Sequence, residues 1–411
     1  MRILHIAQSV SGGIASYFEE VAAFQTRQYG SAGVRFLIPA GNCHHLPSID
    51  RTQIAEFSPC DRNARGLLAL GLATHREIRS FAPTIVHIHS TFAGAVSRPA
   101  ILLSGRKPQI VYCPHGWVFA REAPQWKRQL FSLIEKCLVP LTDTIVNISH
   151  TDHKLALSTG IRADKMVTIR NGIAAHPPLG HESRIEFRQN RINLIFVGRH
   201  DRQKGLDYLI DVFSEASVPG LHLHVVGAPV VESGAGVAAK NTPSNVTFYG
   251  WQPRDEVSKM IACADALIVP SRWEGFGLVA LEAMRLGKPV LASRRGALPE
   301  IIEDGRTGLL FDLERRSELR GILRNVKKDK LVEMGMAARN EFQRTFTSDR
   351  LNAELANLYR SLENGSSQKT LRWTLRKSAL PRVLPFGIAT LEILGMSSSG
   401  SFMEWMTCCQ L

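Results

Sequence analysis

From Ile3 to Phe311 short apolar, β-branched runs alternate with longer stretches of helical periodicity. That alternation is the sequence form of repeated βαβ units, and it restricts the chain to parallel sheets flanked by helices. Strands are predicted at Ile3 to Ala7, Val34 to Pro39, Ile85 to His89, Ile110 to Cys113 and Thr144 to Ile148, with a helix at Trp126 to Val139. A second series gives strands at Leu194 to Val197, Leu221 to Val226, Val246 to Gly250, Ala266 to Pro270, Pro289 to Ala292 and Leu309 to Phe311. Helices at Leu206 to Ala216 and Arg254 to Ala264 fall between these strands. The 411 residues exceed what one hydrophobic core usually holds, so two doubly wound domains in tandem are expected. The Pro-rich and then polar stretch from Ala174 to Gly180 is the natural linker.

Charge narrows the partners. The chain carries a formal +13 with a pI near 9.6. Residues 1–190 hold 21 basic against 13 acidic side chains, and residues 191–362 hold 24 against 21. The basic surplus belongs to the first half and suits a phosphorylated ligand or an anionic membrane surface; generic solubility charge is the plainer reading. No zinc-finger, RNA-recognition or homeodomain signature occurs, so no nucleic-acid partner is expected. Seven scattered cysteines without a Cys-x-x-Cys pair, and no membrane-spanning apolar run, lead to the cytoplasm as the expected compartment.

In doubly wound sheets ligands bind beyond the carboxyl ends of the strands, which directs attention to three loops. Gln8 to Gly13 contains Gly12 and Gly13. Gly198 to Gly205 contains Arg199 and Lys204, two cations fit to stabilise a diphosphate leaving group, unless they merely pair with Asp201 or Asp207. The third runs Pro270-Ser-Arg-Trp-Glu-Gly-Phe-Gly277 into an Ala- and Leu-rich helix starting near Leu278. There Glu274, the amides of Gly275, Phe276 and Gly277, and Glu282 further along the helix can serve a phosphate and vicinal hydroxyls side by side. No Walker or Gly-x-Gly-x-x-Gly pattern is present, which argues against a kinase or a nicotinamide cofactor. His87 and His89 alternate on a buried strand and read as core or rim residues rather than metal ligands.

The order of Gly198-Arg-x-x-x-x-Lys-Gly205, Pro270-Ser-x-x-Glu-Gly-Phe-Gly277 with Glu282, and Gly296-Ala-Leu-Pro-Glu-Ile-Ile-x-Asp-Gly-x-Thr-Gly308 resembles the donor domain of family 4 retaining glycosyltransferases of the GT-B fold. The first half is similar at Ser11-Gly12-Gly13, at Pro114-His115-Gly116 and at Val167 to Ile173, although Ala174 stands where the family often has an acidic residue. The resemblance implies two Rossmann-like domains facing across an interdomain cleft. It implies an acceptor-binding domain over 1–175, a linker over 176–190, a donor-binding domain over 191–345 and a helix over 346–362 returning to the first domain; it says nothing of the stretch over 363–411, which composition alone marks as a basic, apolar tail. It further implies that Arg199 and Lys204 grip the diphosphate, Glu282 the ribose and Glu274 the sugar. Gly12, Gly13, Gly198, Gly275 to Leu278, Arg294 and Gly296 would line the donor site, and His115 would orient the donor sugar.

The activity so implied is transfer of a sugar from a nucleotide-diphosphate sugar to an acceptor hydroxyl with retained configuration. The front-face mechanism follows from the resemblance, with no cofactor and no metal, and the chain has no Asp-x-Asp. Trp117, Phe119, Trp126, Lys127 and Arg128 join aromatic and basic residues, which suits a membrane interface and makes a lipid-linked saccharide the leading acceptor. A soluble sugar stays open as acceptor. Two other classes stand beside this reading: a nucleotide-sugar epimerase, and a catalytically silent partner subunit that binds nucleotide or lipid.

Overall fold

The computed structural model describes residues 1–61, 63–120, 122–177, 187, 190–215, 220–229 and 243–373, without the side chains of residues 215 and 366–373. Of the tail over 363–411, the part beyond Trp373 lies outside the described residues, as does most of the linker over 176–190.

The first half alternates β1 (Ile3–Ala7), α1 (Gly13–Tyr29), β2 (Val34–Pro39), β3 (Ile54–Phe57), α2 (Ala64–Ser80), β4 (Ile85–His89), α3 (Thr91–Leu103), β5 (Gln109–Cys113), α4 (Gln125–Leu138), β6 (Thr144–Asn147), α5 (His150–Ser158) and β7 (Met166–Thr168). These strands form a seven-stranded sheet in the order β3-β2-β1-β4-β5-β6-β7. β1 pairs in parallel with β2 and β4 at its two edges, and crossover helices cover the faces of such a sheet, so residues of both parities are buried: Ile3, Leu4, Ile6 and Ala7 are fully buried.

The second half runs β8 (Ile192–Val197), α6 (Leu206–Glu215), β9 (Leu221–Val226), β10 (Val246–Gly250), α7 (Arg254–Cys263), β11 (Ala266–Val269), α8 (Leu278–Arg285), β12 (Val290–Ser293), α9 (Leu298–Ile301), β13 (Gly308–Phe311), α10 (Arg316–Asn325), α11 (Lys328–Thr345) and α12 (Ser348–Trp373). Its six strands are ordered β10-β9-β8-β11-β12-β13, and the reversal between β8 and β11 is the switch point of a doubly wound sheet. Leu194, Phe196, Leu209, Phe213, Leu223, Val225, Ile268 and Phe311 share its core. Two parallel sheets with helices are thus what the alternating pattern predicts; the helix expected over 346–362 runs on to Trp373.

By contacts the chain forms two compact units, each discontinuous. One comprises Met1–Cys113, Cys137–Ile145 and the chain from Leu355; the other comprises Pro114–Lys136 and Val146–Glu354. In the first unit α12 supplies buried Leu355, Ala356 and Tyr359. The Tyr359 hydroxyl lies 2.6 Å from His87 Nδ1. His5 Nδ1 lies 3.0 Å from His89 Nε2, and His5 Nε2 lies 2.8 Å from Gln25 Oε1. Burial lowers the His5 pKa to about 4, so the ring is neutral at pH 7 and serves as a hydrogen-bonded core group.

In the second unit Thr347 closes against Gly172: a Cβ on that glycine would sit 2.3 Å from the Thr347 carbonyl oxygen. Ile173 N donates to Phe346 O at 3.0 Å beside it. The Ala174 carbonyl accepts from Arg285 Nη1 at 3.0 Å.

Candidate functional site

β8 ends at Val197 and the chain turns through Gly198 to Gly205 before α6. Asp201 organises the turn: its Oδ1 accepts from Lys204 N at 3.0 Å, and its Oδ2 pairs with Arg199 Nη2 at 2.9 Å. Arg199 also donates to Gln203 Oε1 at 3.0 Å, and its side chain is 56% exposed, which leaves the guanidinium open to solvent.

Lys204 reaches across to the loop that follows β11. Its Nζ lies 2.6 Å from Glu274 Oε2, and Ser271 Oγ donates to the same oxygen at 3.1 Å. The two side chains are only 18% and 9% exposed, so the pair sits where water screens it poorly.

The backbones of the two loops are stitched as well. Arg272 N donates to Gln203 O at 2.8 Å and Gln203 Nε2 to Trp273 O at 3.2 Å. Gly205, at φ +70°, passes so near Pro270 that a Cβ would lie 2.1 Å from its carbonyl oxygen. The Arg272 guanidinium holds both oxygens of Asp207, at 2.8 and 2.7 Å. Burial alone would raise the Asp207 pKa, but those bonds prevail and hold it below the usual carboxylate range.

The loop Pro270 to Gly277 is pinned by Phe276, 3% exposed, and enters α8 through Gly277 in the left-handed region at φ +98°. That places the free amides at the start of α8 beside Glu274, with Leu278 as the first helical residue. Gly296 closes on the same loop: at φ +56° its Cβ would lie 1.9 Å from Glu274 O. Gly275 meets the His115 segment of the same compact unit, where a Cβ would lie 3.2 Å from His115 O.

His115 itself adopts φ +54°, a strained value for a non-glycine residue. Part of its surface is accessible, yet the surrounding protein desolvates it enough to lower its pKa to about 4. At pH 7 it is a neutral imidazole, able to donate or accept a hydrogen bond but not to act as a cation.

Lys204, Glu274, Gly205, Gly275, Gly277, Gly296 and the His115 backbone are thus brought together by direct contact. Three expected site residues are engaged elsewhere. Glu282, 14% exposed, lies 3.8 Å from Arg254 Nη2. Arg294 donates to Asp304 Oδ2 at 2.8 Å and to Leu310 O at 3.1 Å, anchoring β13. Arg199 takes the pairing with Asp201 that its spacing allowed. Gly12 and Gly13 are exposed at the start of α1 in the first unit, with Gly12 at φ +52°.

Ser271 and Gln203 complete the loops, and neither is among the residues the sequence singles out. Ser271 was legible, since Pro270-Ser271 stands within the motif that carries Glu274; Gln203 offers no such signal.

One expectation is corrected. Trp117 and Phe119 do not present aromatic tips to a membrane: they are 1% and 2% exposed and stack at 5.0 Å, with Trp117 Nε1 donating to Asn147 Oδ1 at 3.0 Å. A buried indole with a satisfied N–H is a core residue. Of that stretch Trp126 is exposed, with Lys127 Nζ 5.5 Å from its ring centroid.

A cavity of about 680 Å³ lies elsewhere, lined by His150, Thr151, His153, Lys154, Thr168 and Glu300. Lys204 and Glu274 are absent from its lining, and Glu300 fills the start of α5 by accepting from His150 N at 2.8 Å. The loop constellation is therefore the better candidate. Among the described residues His5, His87 and His89 are the group whose ligand atoms come within 4.8 Å of one another, and both nitrogens of His5 already face hydrogen-bond partners.

Comparison with known proteins places this geometry. Residues 181–343 match the family model of glycosyl transferases group 1, and residues 11–176 match that of glycosyltransferase family 4. An uncharacterised protein of the cps region of Klebsiella pneumoniae is 32% identical over 325 residues, which is 76% of this chain and 87% of that protein. Alpha-maltose-1-phosphate synthase of Mycolicibacterium smegmatis is 27% identical, over 70% of this chain and 83% of its own length. Among solved structures, Anabaena HepE in complex with UDP-glucose superposes with a TM-score of 0.71 at 19% identity, covering 88% of this chain and 100% of that one. Sucrose-phosphate synthase of Thermosynechococcus elongatus gives 0.69 at 19% identity, covering 89% and 100%. The chain belongs to the glycosyl transferases group 1, and it is a family 4 glycosyltransferase of the GT-B fold.

Proposed function

We propose that the enzyme transfers a sugar, with retention of configuration, from a nucleotide-diphosphate sugar to a hydroxyl of a lipid-linked saccharide in polysaccharide or glycolipid assembly. The observation that carries the donor half is the partly buried Lys204–Glu274 pair, which joins the loops after β8 and β11 beside the free amides of α8. In this reading Lys204 and the exposed Arg199 take the diphosphate, Glu274 accepts from sugar hydroxyls, and Glu282 takes the ribose. Gly12, Gly13, Gly198, Phe276, Leu278, Arg294 and Gly296 complete the donor site. Anabaena HepE was crystallised with UDP-glucose, which supports a uridine nucleotide as the first donor to try.

Two cations and the helix amides would stabilise the charge developing on the leaving diphosphate, which is the main demand that such a reaction places on a protein. The acceptor hydroxyl would attack from the face the diphosphate leaves, its proton passing to the phosphate, while neutral His115 orients the donor sugar. The reaction is proposed to need neither a metal nor another cofactor. The lipid-linked acceptor is supported by the basic surplus of the first half and would place the enzyme on the inner face of the cytoplasmic membrane. The WaaB lipopolysaccharide outer core galactosyltransferase shares the fold, with a TM-score of 0.66 at 18% identity.

A screen of common nucleotide sugars by hydrolysis and thermal shift identifies the donor, and proton NMR of the first-formed product gives its configuration. We expect the donor's configuration in the product and full activity in EDTA. An inverted product, or activity lost to the chelator and restored by manganese, would overturn the mechanism.

A further inference from the structure

Helices α2 and α3 of the first unit bear large apolar side chains that its core does not use. Leu68 and Leu72 on α2 are each 64% exposed, and Leu102 and Leu103 at the end of α3 are 56% and 74% exposed. Leu68 and Leu72 stand one helical turn apart and share a face. The two helices pack directly on each other. A Cβ on Gly71 would meet Val96 Cγ1 at 3.1 Å, and Thr74 Oγ1 lies 3.1 Å from Ser97 Oγ. Both contacts advance together along the chain, so the helices run parallel and their carboxyl ends come side by side.

Along the two helices the exposed charge is of one sign, with Asp61 standing against the start of α2. Arg65, Arg76 and Arg79 are exposed on α2, and Arg106 and Lys107 on the turn after α3. Over residues 64–80 and 91–107 the one carboxylate is Glu77, which is 7% exposed and accepts from Arg35 Nη1 at 3.1 Å. Exposed leucines ringed by basic side chains match one environment well: acyl chains receive the leucines while anionic headgroups receive the guanidinium groups. Nucleic acid offers no partner for four projecting leucines.

We propose that the α2–α3 surface docks the enzyme on an anionic bilayer, with Leu68, Leu72, Leu102 and Leu103 inserted and Arg76, Arg79, Arg106 and Lys107 on the lipid phosphates. This deepens the lipid-linked acceptor reading and rests on it for its purpose, but docking and transfer are measured separately. The full-length protein is sedimented with vesicles of phosphatidylglycerol and phosphatidylcholine, and with phosphatidylcholine alone. We expect binding to the first, none to the second, and release as salt shortens the screening length below about 10 Å.

Leu68→Ser with Leu72→Ser and Leu103→Ser, and separately Arg76→Glu with Arg79→Glu, should each weaken binding more than tenfold while melting temperature is kept. Lys127→Glu with Arg128→Glu should leave it unchanged. The proposal is overturned by failure to bind anionic vesicles or by undiminished binding in both α2–α3 variants. It is also overturned if the leucine variant merely converts a dimer to a monomer in light scattering, which would make the surface a contact between copies. Transfer to a detergent-solubilised lipid-linked acceptor tells the two readings apart. If transfer persists without vesicle binding, docking falls and the acceptor reading stands; if vesicle binding persists without transfer, the reverse holds.

Discussion

At the scale of single residues, the Lys204–Glu274 pair decides most. Both side chains are largely buried, and each is the other's charged partner, so removing one leaves an uncompensated charge. We expect Lys204→Ala and Glu274→Ala each to lower kcat/KM by about a hundredfold or more, the scale of one lost stabilising contact to developing charge. The double variant should fall little further, because two groups acting as one unit do not add. Near-normal steady-state kinetics in a folded single variant would remove the pair from the site. Asp152 presents the opposite case. It is 5% exposed, its Oδ2 has no hydrogen-bond partner, and burial first, then the nearby Glu300 charge, pushes its pKa up to about 7. Asp152→Asn should therefore raise the melting temperature at pH 7.5 by several degrees, since it removes a poorly hosted charge; a lower melting temperature in scanning calorimetry would contradict this.

At the scale of elements, the glycines at the loop ends set how closely the strands' carboxyl ends approach. Gly296→Ala would require a left-handed alanine and drive its Cβ to 1.9 Å from Glu274 O, so the whole Glu274 loop must move. We expect loss of transfer together with a lower melting temperature, whereas Gly321→Ala, with open space about its Cβ, should change neither; equal behaviour of the two would refute the packing argument. Most of this was readable in advance. The strands of both sheets announce themselves because buried parallel strands are continuous apolar runs. β3 does not: Ile54–Phe57 is a short edge strand with an exposed Glu56, and its pattern is that of a loop. The motifs located the β8 and β11 loops, but pattern could not tell that Lys204 faces Glu274 while Arg272, not Lys204, takes Asp207. Nor could it tell that Trp117 and Phe119 turn inward, since an aromatic beside basic residues reads alike whether it lies in a core or on a surface.

At the scale of the whole molecule, acid should loosen the fold. Burial holds His5 and His115 near pKa 4 and His224 near 3, against an ordinary 6.5. Between those values and 6.5 the unfolded chain binds more protons than the native one, so stability is lost as pH falls through that window. Asp152 has the reverse sign: its folded pKa exceeds the ordinary 3.8, and its stabilising share is lost as pH rises toward 7. Melting curves from pH 7.5 to 4.5 should fall, and more steeply in Asp152→Asn; a rising curve would show that the buried imidazoles are not neutral. The discontinuous units carry a different consequence, for synthesis. The bond between His87 and Tyr359 spans 272 residues, so the first unit lacks part of its core until α12 has been made. At ordinary translation speeds that delay is on the order of tens of seconds. Throughout it, the apolar surface later covered by Leu355 and Tyr359 stands open on the nascent chain, and a ribosome that stops short of α12 releases a product that chaperones or proteases must handle.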